Sequence, residues 1–503
     1  MVNREKAPGL QSASNLQSGV SPQGADYLRG GAGAKIIRVR DSEAYRAGFD
    51  LAQQLPHFSA ASGITIAQWL VLLVLVVTVV FSSVIAPEAV LRFLQSLLVA
   101  IFWFAICFRV ILLLAHFWPH SDVVDVPDDN YASEDLPVYT LLLPVYREAK
   151  ILPELVKSIN RLDYPSKLLD IKLLLEVDDE ATLAVARKLE LKSNWEVLIV
   201  PDIGPRTKPK ALNVGLARAK GSFVTIYDAE DRPDPMQLRA AVNAFANDDG
   251  KMACVQAPLG YYNADHNWIT RQFSLEYDAQ FKVILPALVR LGIAFPLGGT
   301  SNHFRKSALE QTRGWDPFNV TEDADLGFRL AKMGWRAGVI SPPTMEEATA
   351  RVRPWVGQRS RWIKGFIQTL MVHLRGGLPG GKPIHTFGFF SVLGLAVFSA
   401  FSHGFLLLGF CLCLLNWALG GPPTLSGADF LLAGTGVVVA WVLLFTGCYS
   451  VGKPQNFWNI ISSIFYWPLQ TWAALRAAIE LFYKPFHWEK TDHGHSLDET
   501  VDK

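Results

Sequence analysis

Four long apolar segments constrain the fold of this chain more than any other feature of its sequence. They lie at about residues 66–86, 90–117, 386–417 and 428–450, and each is long enough to cross a lipid bilayer as a helix. Residues 118–384, between the second and third segments, are long enough for a domain of ordinary size. The sequence therefore predicts a multi-pass membrane protein with a large domain inserted between two pairs of spans.

The distribution of basic residues predicts the orientation of these spans. The loop Gly420–Asp429 contains no Lys or Arg, whereas basic residues precede the first span and flank the later ones. These basic residues are Arg29, Lys35, Arg38, Arg40, Arg46, Arg375, Lys382 and Lys453. By the positive-inside rule, the N-terminus and the middle domain are cytoplasmic, and the spans lie in the inner (plasma) membrane.

The two ends of the chain differ in character. Residues 1–34 are rich in Ser, Gly, Gln and Ala without apolar periodicity, which predicts a disordered tail before an N-terminal membrane region at 35–117. Two C-terminal spans occupy 385–450, and the segment 451–503 begins with an aromatic stretch at about 458–482. Polar residues in this stretch favour a helix that lies in the membrane interface, with a fifth span as the alternative.

Charge and cysteine content exclude some classes of function. The 503-residue chain has a formal net charge of +1, so no global basic field indicates nucleic-acid binding. The five cysteines show no CxxC pair and no metal-ligand spacing. We interpret them as packing residues.

Short runs rich in Val, Leu and Ile alternate with helical patterns in the middle domain. The predicted strands are Tyr139–Pro144, Ile171–Val177, Glu196–Val200, Phe223–Tyr227 and Met252–Gln256. Near-continuous apolar strands separated by helices predict a parallel sheet that is covered on both faces. Such sheets bind ligands at the carboxyl ends of their strands, so a functional site is expected in the residues that follow them.

Acidic residues follow three of these strands, in Pro144–Glu148, Asp178–Glu180 and Asp228–Asp231. A single Asp at such a position is usually a helix cap, but three convergent cases indicate a site where a cation or hydrogen-bond donors offset the charge. Between them, Lys208–Asn213 brings two lysines to the start of a helix, where they suit a diphosphate or form a solvated basic loop. Together these segments predict a nucleotide-diphosphate site with a divalent cation.

Two further motifs make the pattern specific. Thr321-Glu322-Asp323 and the run Gln358–Trp362 follow the segments above in the order found in processive family-two glycosyltransferases. Over about residues 136–375, the chain resembles cellulose, hyaluronan, chitin and curdlan synthases, and among them the bacterial curdlan and mixed-linkage β-glucan synthases in particular. The resemblance implies an α/β GT-A-type nucleotide-sugar domain inserted between transmembrane α-helices, with about four spans and about three interfacial amphipathic helices.

The resemblance also implies roles for individual residues. Asp323 is the expected general base, in a catalytic motif with Thr321 and Glu322, and it takes the proton of the acceptor hydroxyl as that oxygen attacks the sugar. Thr321 is also expected to cap the helix that follows, which would hold Asp323 in position. The residues implied in nucleotide-sugar binding are Val145, Tyr146, Glu148, Asp178, Lys208, Asp228, Gln358 and Arg361.

The metal, acceptor and gating sites follow from the same resemblance. Asp228 is the expected ligand of Mg²⁺ or Mn²⁺, and either Glu230 or Asp231 is the second, because this chain has Asp-Ala-Glu-Asp in place of Asp-x-Asp. The residues implied in acceptor binding are Trp362, Gly299, Thr300 and Ser301. Those implied in a gating loop over the nucleotide are Trp488, Lys490 and Thr491.

These expectations lead to one predicted function and two alternatives. We expect a processive, inverting transferase that polymerises a β-glucan, β-1,3 or mixed-linkage, from UDP-glucose and moves it across the membrane. A polymer synthase that uses UDP-N-acetylglucosamine and a nonprocessive transferase that glycosylates a lipid are the alternatives. The expected partners are a UDP-sugar donor, the growing polysaccharide and the lipid bilayer, with no nucleic acid; accessory or regulatory proteins are not specified by the sequence.

Overall fold

A ten-stranded mixed sheet forms the centre of the extramembrane domain. The computed structural model describes residues 27–29, 33–118, 123–124, 136–375, 383–422, 424–452 and 457–487. The predicted gating residues Trp488, Lys490 and Thr491, and nearly all of the predicted disordered tail, lie outside these ranges. The strands are β1 (Tyr27–Arg29), β2 (Lys35–Arg38), β3 (Val123–Val124), β4 (Tyr139–Val145), β5 (Leu169–Glu176), β6 (Trp195–Val200), β7 (Phe223–Ile226), β8 (Arg232–Pro233), β9 (Met252–Gln256), β10 (Leu259–Tyr261), β11 (Asn302–Arg305), β12 (Arg336–Ile340) and β13 (Thr344–Glu346).

Helices cover both faces of this sheet and continue into the membrane segments. They are α1 (Asp41–Gln54), α2 (Ile66–Ile85), α3 (Pro87–His116), α4 (Leu152–Ile159), α5 (Glu180–Lys188), α6 (Lys208–Ala217), α7 (Gln237–Ala246), α8 (Trp268–Ala279), α9 (Leu285–Arg290), α10 (Lys306–Gln311), α11 (Glu322–Lys332), α12 (Val352–His373), α13 (Pro383–Gly388), α14 (Leu395–Ala418), α15 (Gly427–Ser450), α16 (Phe457–Ile461) and α17 (Ser463–Tyr483). Two π-helical segments, Gln280–Ile284 and Phe389–Gly394, join α8 to α9 and α13 to α14.

The strand order of the large sheet is β1-β2-β6-β5-β4-β7-β11-β9-β12-β3. Strands β2, β6, β5, β4 and β7 run parallel to one another, while β11 is antiparallel to both of its neighbours, β7 and β9. All eight residues of β5 are buried, as the near-continuous apolar runs predicted. The sequence correctly predicted all five of the strands that it specified, but it did not predict the antiparallel strand, so the sheet is mixed.

The N-terminal segment belongs to the sheet, which differs from the prediction of a membrane region at 35–117. Strand β2 pairs with β6 in parallel, with Ile37 opposite Leu198. Helix α1 packs on α6, and Asn213 of α6 donates a hydrogen bond to the carbonyl of Ala47 over 3.0 Å. The membrane region therefore begins with α2. Two adjacent apolar residues between charged ones, in Lys35–Arg38, were too short a pattern to predict a buried strand.

Four helices of the described residues are long and apolar enough to cross a membrane: Ile66–Ile85, Pro87–His116, Pro383–Ala418 and Gly427–Ser450. They agree with the four predicted spans. Helix α17, the ambiguous aromatic stretch, is not among them and packs against α12 and α14. In α12, Trp355 is fully buried and donates a hydrogen bond to the Tyr466 hydroxyl over 3.0 Å. Trp355 of α12 therefore packs against another helix.

Candidate active site

One cavity of about 1680 Å³ connects the sheet domain with the membrane helices. On the domain side it is lined by residues that follow β4 and β7 and by side chains of α11 and α12. On the membrane side, α3, α14 and α15 form its walls, and Asp429 in the first turn of α15 also contacts it. The cavity therefore reaches both the sheet domain and the first turn of α15.

The residues after β4 and β5 meet at the carboxyl edge of the sheet. Tyr146 donates a hydrogen bond to the Asp178 carboxylate over 3.1 Å, and Arg206 donates to the same oxygen over 3.0 Å. Val145, Tyr146 and Glu148 are in the cavity wall, but Asp178 is not. Asp179 is buried and accepts from the Thr182 amide over 3.1 Å, so this Asp is a helix cap.

Lys208 begins α6 and points across the cavity to the loop after β7. Its ammonium group bonds an Asp228 carboxylate oxygen over 2.7 Å and the Gly299 carbonyl over 2.8 Å. Burial lowers the pKa of Lys208, but Asp228 and Glu322 outweigh this effect and raise it above its usual range. Lys208 therefore stays charged. Lys210 is fully buried and bonds the Pro201 carbonyl over 3.2 Å, so only one of the two lysines faces the cavity.

The Asp228–Asp231 loop divides its carboxylates between the cavity and the interior. Asp228 and Glu230 line the cavity. Asp231 is buried, accepts from the Asp228 amide over 2.7 Å and from the Thr300 hydroxyl, and has a pKa that burial raises well above its usual range. Asp231 thus supports the loop, and Glu230 is the carboxylate positioned beside Asp228.

Two cavity-facing carboxylates beside a lysine suit a hard divalent cation that completes its coordination with phosphate oxygens and water. In the described ranges, no group of three or more His, Cys, Asp and Glu side chains that could hold a metal is present. The residues present therefore fit a cation held jointly by the protein and a bound diphosphate, not one held by the protein alone.

The Thr321-Glu322-Asp323 motif lies where α11 starts. Thr321 occupies the N-cap position, but its side chain makes no capping hydrogen bond, in contrast to the prediction. The Asp323 carboxylate accepts from the Ala324 amide over 2.8 Å. Burial, reinforced by Asp323, raises the pKa of Glu322 to about 7, and burial also raises the pKa of Asp323. The two acids share one partly desolvated region of the cavity wall.

Helix α12 brings Gln358, Arg361 and Trp362 to the same cavity. Burial lowers the pKa of the Arg361 guanidinium. The Glu322 and Asp323 carboxylates act in the opposite direction and favour its charged form. The close packing of α12 on α11 depends on Gly365, because an added Cβ would lie 2.2 Å from the Thr321 hydroxyl oxygen. This contact places the positive charge of α12 next to the acids of α11.

An aromatic wall adjoins these charges. Trp362 stacks on Tyr277 with ring centroids 6.4 Å apart and meets Phe273 edge-on at 6.0 Å. The Arg359 guanidinium lies 4.5 Å from the Trp362 ring and bonds both carboxylate oxygens of Glu276, over 2.8 and 2.5 Å. Arg359 therefore fixes the position of Trp362 relative to α8.

The small-residue turn Gly298–Asn302 is only partly exposed to the cavity. Gly299 lies so close to Asp323 that an added Cβ would be 3.2 Å from its carboxylate oxygen. Thr300 reaches the cavity wall, but its hydroxyl donates to Asp231 and to the Ile226 carbonyl. Ser301 is fully buried and donates to the Thr344 hydroxyl over 2.6 Å. The structure places Ser301 away from the predicted acceptor contact.

The last described residues of the chain are hydrogen-bonded to α12 near the cavity. The Lys364 ammonium bonds the carbonyls of Lys484 and His487 over 3.2 and 3.0 Å and the Glu480 carboxylate over 3.1 Å. Phe486 and His487 line the cavity. The chain thus reaches the site one residue before the predicted gating segment begins.

Three polar residues of the site were missed by the sequence reasoning. Glu346 of β13 lines the cavity, and burial together with Asp231 raises its pKa well above the usual range. Glu276 lines the same cavity and pairs with Arg359, while Arg206 holds Asp178. Glu276 and Glu346 do not follow a predicted parallel strand, whereas Arg206 comes shortly after the predicted strand Glu196–Val200. Only the basic run that contains Arg206 gave a signal in the sequence.

Several known proteins are similar to this chain. Residues 223–420 match the family described as glycosyl transferase family group 2. The chain is 24% identical over 244 residues to the probable glycosyltransferase YdaM of Bacillus subtilis (strain 168), covering 48% of this chain and 58% of YdaM. It is 24% identical over 359 residues to glucomannan 4-beta-mannosyltransferase 1 of Oryza sativa subsp. japonica, covering 68% and 66%. It is 29% identical over 247 residues to beta-monoglucosyldiacylglycerol synthase of Synechocystis sp. (strain ATCC 27184 / PCC 6803 / Kazusa), covering 48% and 50%.

The chain thus spans less than two thirds of the length of these curated relatives. Among solved structures, the mannosyltransferase PcManGT from Pyrobaculum calidifontis, in complex with GDP-Man and Mn²⁺, is similar with a TM-score of 0.53 and 20% identity. The similarity covers 76% of this chain and 96% of that one, and it confirms the GT-A-like fold. Residues 223–420 are thus similar to group 2 glycosyl transferases, and the similar proteins are named as glycosyltransferases and mannosyltransferases, which supports a sugar-transferring enzyme.

Proposed function

We propose that this protein is a membrane-embedded, inverting and processive glycosyltransferase that polymerises a β-glucan, β-1,3 or mixed-linkage, from UDP-glucose. The main support is the cavity that joins Asp228 and Asp323 to the walls of α3, α14 and α15. A polymer that grows at the carboxylates has a continuous path from them into the membrane. Nucleotide sugars are cytoplasmic, so we infer that the sheet domain faces the cytoplasm of a plasma membrane.

In the proposed reaction, Asp323 removes the proton from an acceptor hydroxyl while the oxygen attacks the anomeric carbon of the donor. The bond from that carbon to the diphosphate breaks, and the nucleoside diphosphate leaves. Lys208 and Arg361 carry positive charge on the sides of the cavity where the diphosphate would lie. Their charges stabilise the leaving group more than the neutral acceptor, which favours the transition state.

Asp228 and Glu230 are the proposed ligands of Mg²⁺ or Mn²⁺, and the ion would neutralise charge that develops on the diphosphate. The PcManGT complex contains Mn²⁺, which supports a divalent ion here without deciding between the two. Asp178, held by Arg206 and Tyr146, is the proposed contact for the nucleoside.

Trp362 and Tyr277 form the proposed acceptor platform. Flat aromatic faces stack on the apolar faces of sugar rings, and Trp362 is held by the Arg359–Glu276 pair. Arg361 interacts electrostatically with both Asp323 and Tyr277, and all three line the same cavity. We propose that a terminal sugar stacked on this wall presents a hydroxyl to Asp323. The same arrangement suits a polymer end that returns to the site after each transfer.

A second candidate is the transfer of one sugar to a lipid acceptor. The membrane walls of the cavity are mainly aliphatic, with Leu, Val and Ile from α3, α14 and α15. The similarity to beta-monoglucosyldiacylglycerol synthases favours the same candidate. A UDP-N-acetylglucosamine polymer synthase has no comparable observation in its favour.

A donor and product assay separates these functions. Purified protein in nanodiscs is incubated with Mg²⁺ or Mn²⁺ and labelled UDP-glucose, UDP-N-acetylglucosamine or GDP-mannose. GDP-mannose is included because glucomannan mannosyltransferases and a GDP-Man complex are among the similar proteins. The proposal requires a high-molecular-weight product from UDP-glucose that linkage-specific β-glucanases digest.

The outcomes of this assay are distinct. A labelled product that partitions into organic solvent and does not grow in size would support the lipid acceptor and refute polymerisation. Polymer from GDP-mannose alone would refute the glucan. The Asp323→Asn variant should lose all transfer, whereas Glu154→Gln on the exposed face of α4 should keep it.

A further inference from the structure

Arg109 is a charged residue inside a membrane helix that the proposed glucan does not explain. It lies on α3, lines the cavity and is only partly buried. Within the described part of the chain, its guanidinium makes no hydrogen bond or ion pair. Ionisable side chains in membrane spans are costly and usually mark a ligand or transport path. A neutral glucan offers no anion to this group.

The depth of Arg109 matches the region just below the lipid head groups. The residue lies about two turns before the domain-side end of α3, which is about 10 Å along the helix axis. The hydrocarbon core is about 30 Å thick and the head-group layers add about 5–8 Å on each side. An Arg at this depth can draw a lipid phosphate a few ångströms inward, because its side chain is long.

His403 provides a second polar group on the opposite side of the cavity. It lies on α14, and its Nδ1 donates a hydrogen bond to the Ser399 carbonyl over 2.7 Å. The Trp467 ring supports it at a centroid distance of 5.9 Å. Arg109 is near enough to influence the charge state of His403. With Nδ1 occupied, Nε2 is the atom left to contact a ligand.

Aliphatic side chains surround these two polar groups. Ile106 lies one turn from Arg109 on α3, and Leu406 lies one turn from His403 on α14. Val437 and Val438 of α15 complete this part of the wall. An acyl chain would bury its methylene groups against such a surface.

We propose that the membrane part of the cavity binds one anionic phospholipid, with its phosphate on Arg109, its head group beside His403 and an acyl chain along the aliphatic wall. This inference concerns a ligand other than the sugar donor, and it does not require that the lipid receive a sugar. The lipid would fill the path through the spans between rounds of synthesis.

Lipid retention by the purified full-length protein tests this inference. The protein is exchanged into detergent with phosphatidylglycerol, phosphatidylcholine or diacylglycerol of identical acyl chains, and bound lipid is counted by native mass spectrometry. We expect phosphatidylglycerol to be retained at least about tenfold more than diacylglycerol, which has the same chains without the phosphate. Equal retention of the two would overturn the proposal.

Variants locate the site. Arg109→Gln should abolish the preference for phosphatidylglycerol, and Arg109→Lys should keep part of it because the charge remains. Arg92→Gln is the matched control, since Arg92 is on the same helix, exposed and paired with Glu88. Unchanged retention in Arg109→Gln, with an unfolding temperature equal to that of the native protein, would refute the assignment.

A soluble competitor distinguishes a lipid from a free anion. If glycerol phosphate displaces phosphatidylglycerol at millimolar concentration, the site recognises a phosphate without its chains and the proposed lipid occupant is wrong. If displacement requires a lipid with acyl chains, the aliphatic wall contributes as proposed. Sugar transfer is measured in parallel and does not depend on either result. If the lipid inference fails, the proposed transferase activity can therefore still stand.

Discussion

The substitution Gly365→Ala is expected to separate Asp323, the proposed general base, from the residues of α12. Its new Cβ would lie 2.2 Å from the Thr321 hydroxyl oxygen, 2.6 Å from Cγ2 and 2.7 Å from Cβ. Ordinary contact needs about 3.5 Å, so α12 and the start of α11 must move apart by about 1 Å. Overpacking of this kind costs about 1–3 kcal/mol. A shift of about 1 Å in catalytic groups can lower the rate about a hundredfold.

Removal of the opposing side chain should rescue the defect. The double variant Gly365→Ala/Thr321→Ala lacks the two nearest clashing atoms, although the Thr321 Cβ still lies 2.7 Å away. We expect the double variant to recover at least about tenfold in rate relative to Gly365→Ala alone, which corresponds to a coupling of about 1.4 kcal/mol. The single variant Thr321→Ala is measured as well, which completes the double-mutant cycle.

Nucleoside diphosphate release and thermal unfolding measure both consequences. Gly427→Ala is the control, because an added Cβ there meets nothing within 4 Å. It should leave the rate unchanged. If Gly365→Ala transfers sugar within twofold of the native rate, or if Thr321→Ala gives no rescue, then the close contact of α11 and α12 does not position Asp323 as we infer.

Three other predictions concern acids and cations around the cavity. Because Asp323 must be deprotonated to act as a base and burial raises its pKa, the transfer rate should fall as pH drops, and an acid limb at the pH of an exposed Asp would contradict this. Burial and Asp323 raise the pKa of Glu322 to about 7, so Glu322 is protonated on the part of that limb below pH 7, and Glu322→Gln should leave that part unmoved. Arg359→Lys loses one of two bonds to Glu276 and should cost about 1–3 kcal/mol in a thermal unfolding assay, whereas an unchanged unfolding temperature would show that the pair is not structural. Lys364→Met should free the C-terminal segment to limited proteolysis while the domain stays resistant, and equal protease resistance would refute the anchoring role.

The parallel part of the fold was predictable because its strands are local apolar runs. Tyr139–Val145 and Leu169–Glu176 are buried on both faces, and each contains an uninterrupted run of three leucines. Strand Asn302–Arg305 was missed because its His303 and Asn302 read as polar, although both are buried and bonded inside the sheet. A single sequence does not show which buried polar groups will find hydrogen-bond partners far away along the chain.

The site was predictable to the extent that its residues follow strands or form contiguous motifs. Lys208, Asp228 and Asp323 line one cavity, as their motifs suggested. The choice between Glu230 and Asp231 needed the structure. Unlike a strand or a helix, an irregular loop has no regular pattern that predicts which side chains are exposed. In the structure, the hydroxyl of Thr300 bonds Asp231 and leaves Glu230 facing the cavity.

Strand β2 also imposes an order on the assembly of the protein. Its partner β6 is separated from it in the chain by both N-terminal spans and by strands β4 and β5. During synthesis, α2 and α3 therefore emerge before β2 can pair, and the edge of β6 stays open until the N-terminal segment returns to it. Strand β2 is thus made well before β6 and takes its place in the sheet only after β6 has been made. Because β2 precedes α2 and the other strands of the sheet follow α3, the sheet is connected to both ends of the α2–α3 hairpin. Two connections leave the domain less freedom to tilt on the membrane than one linker would.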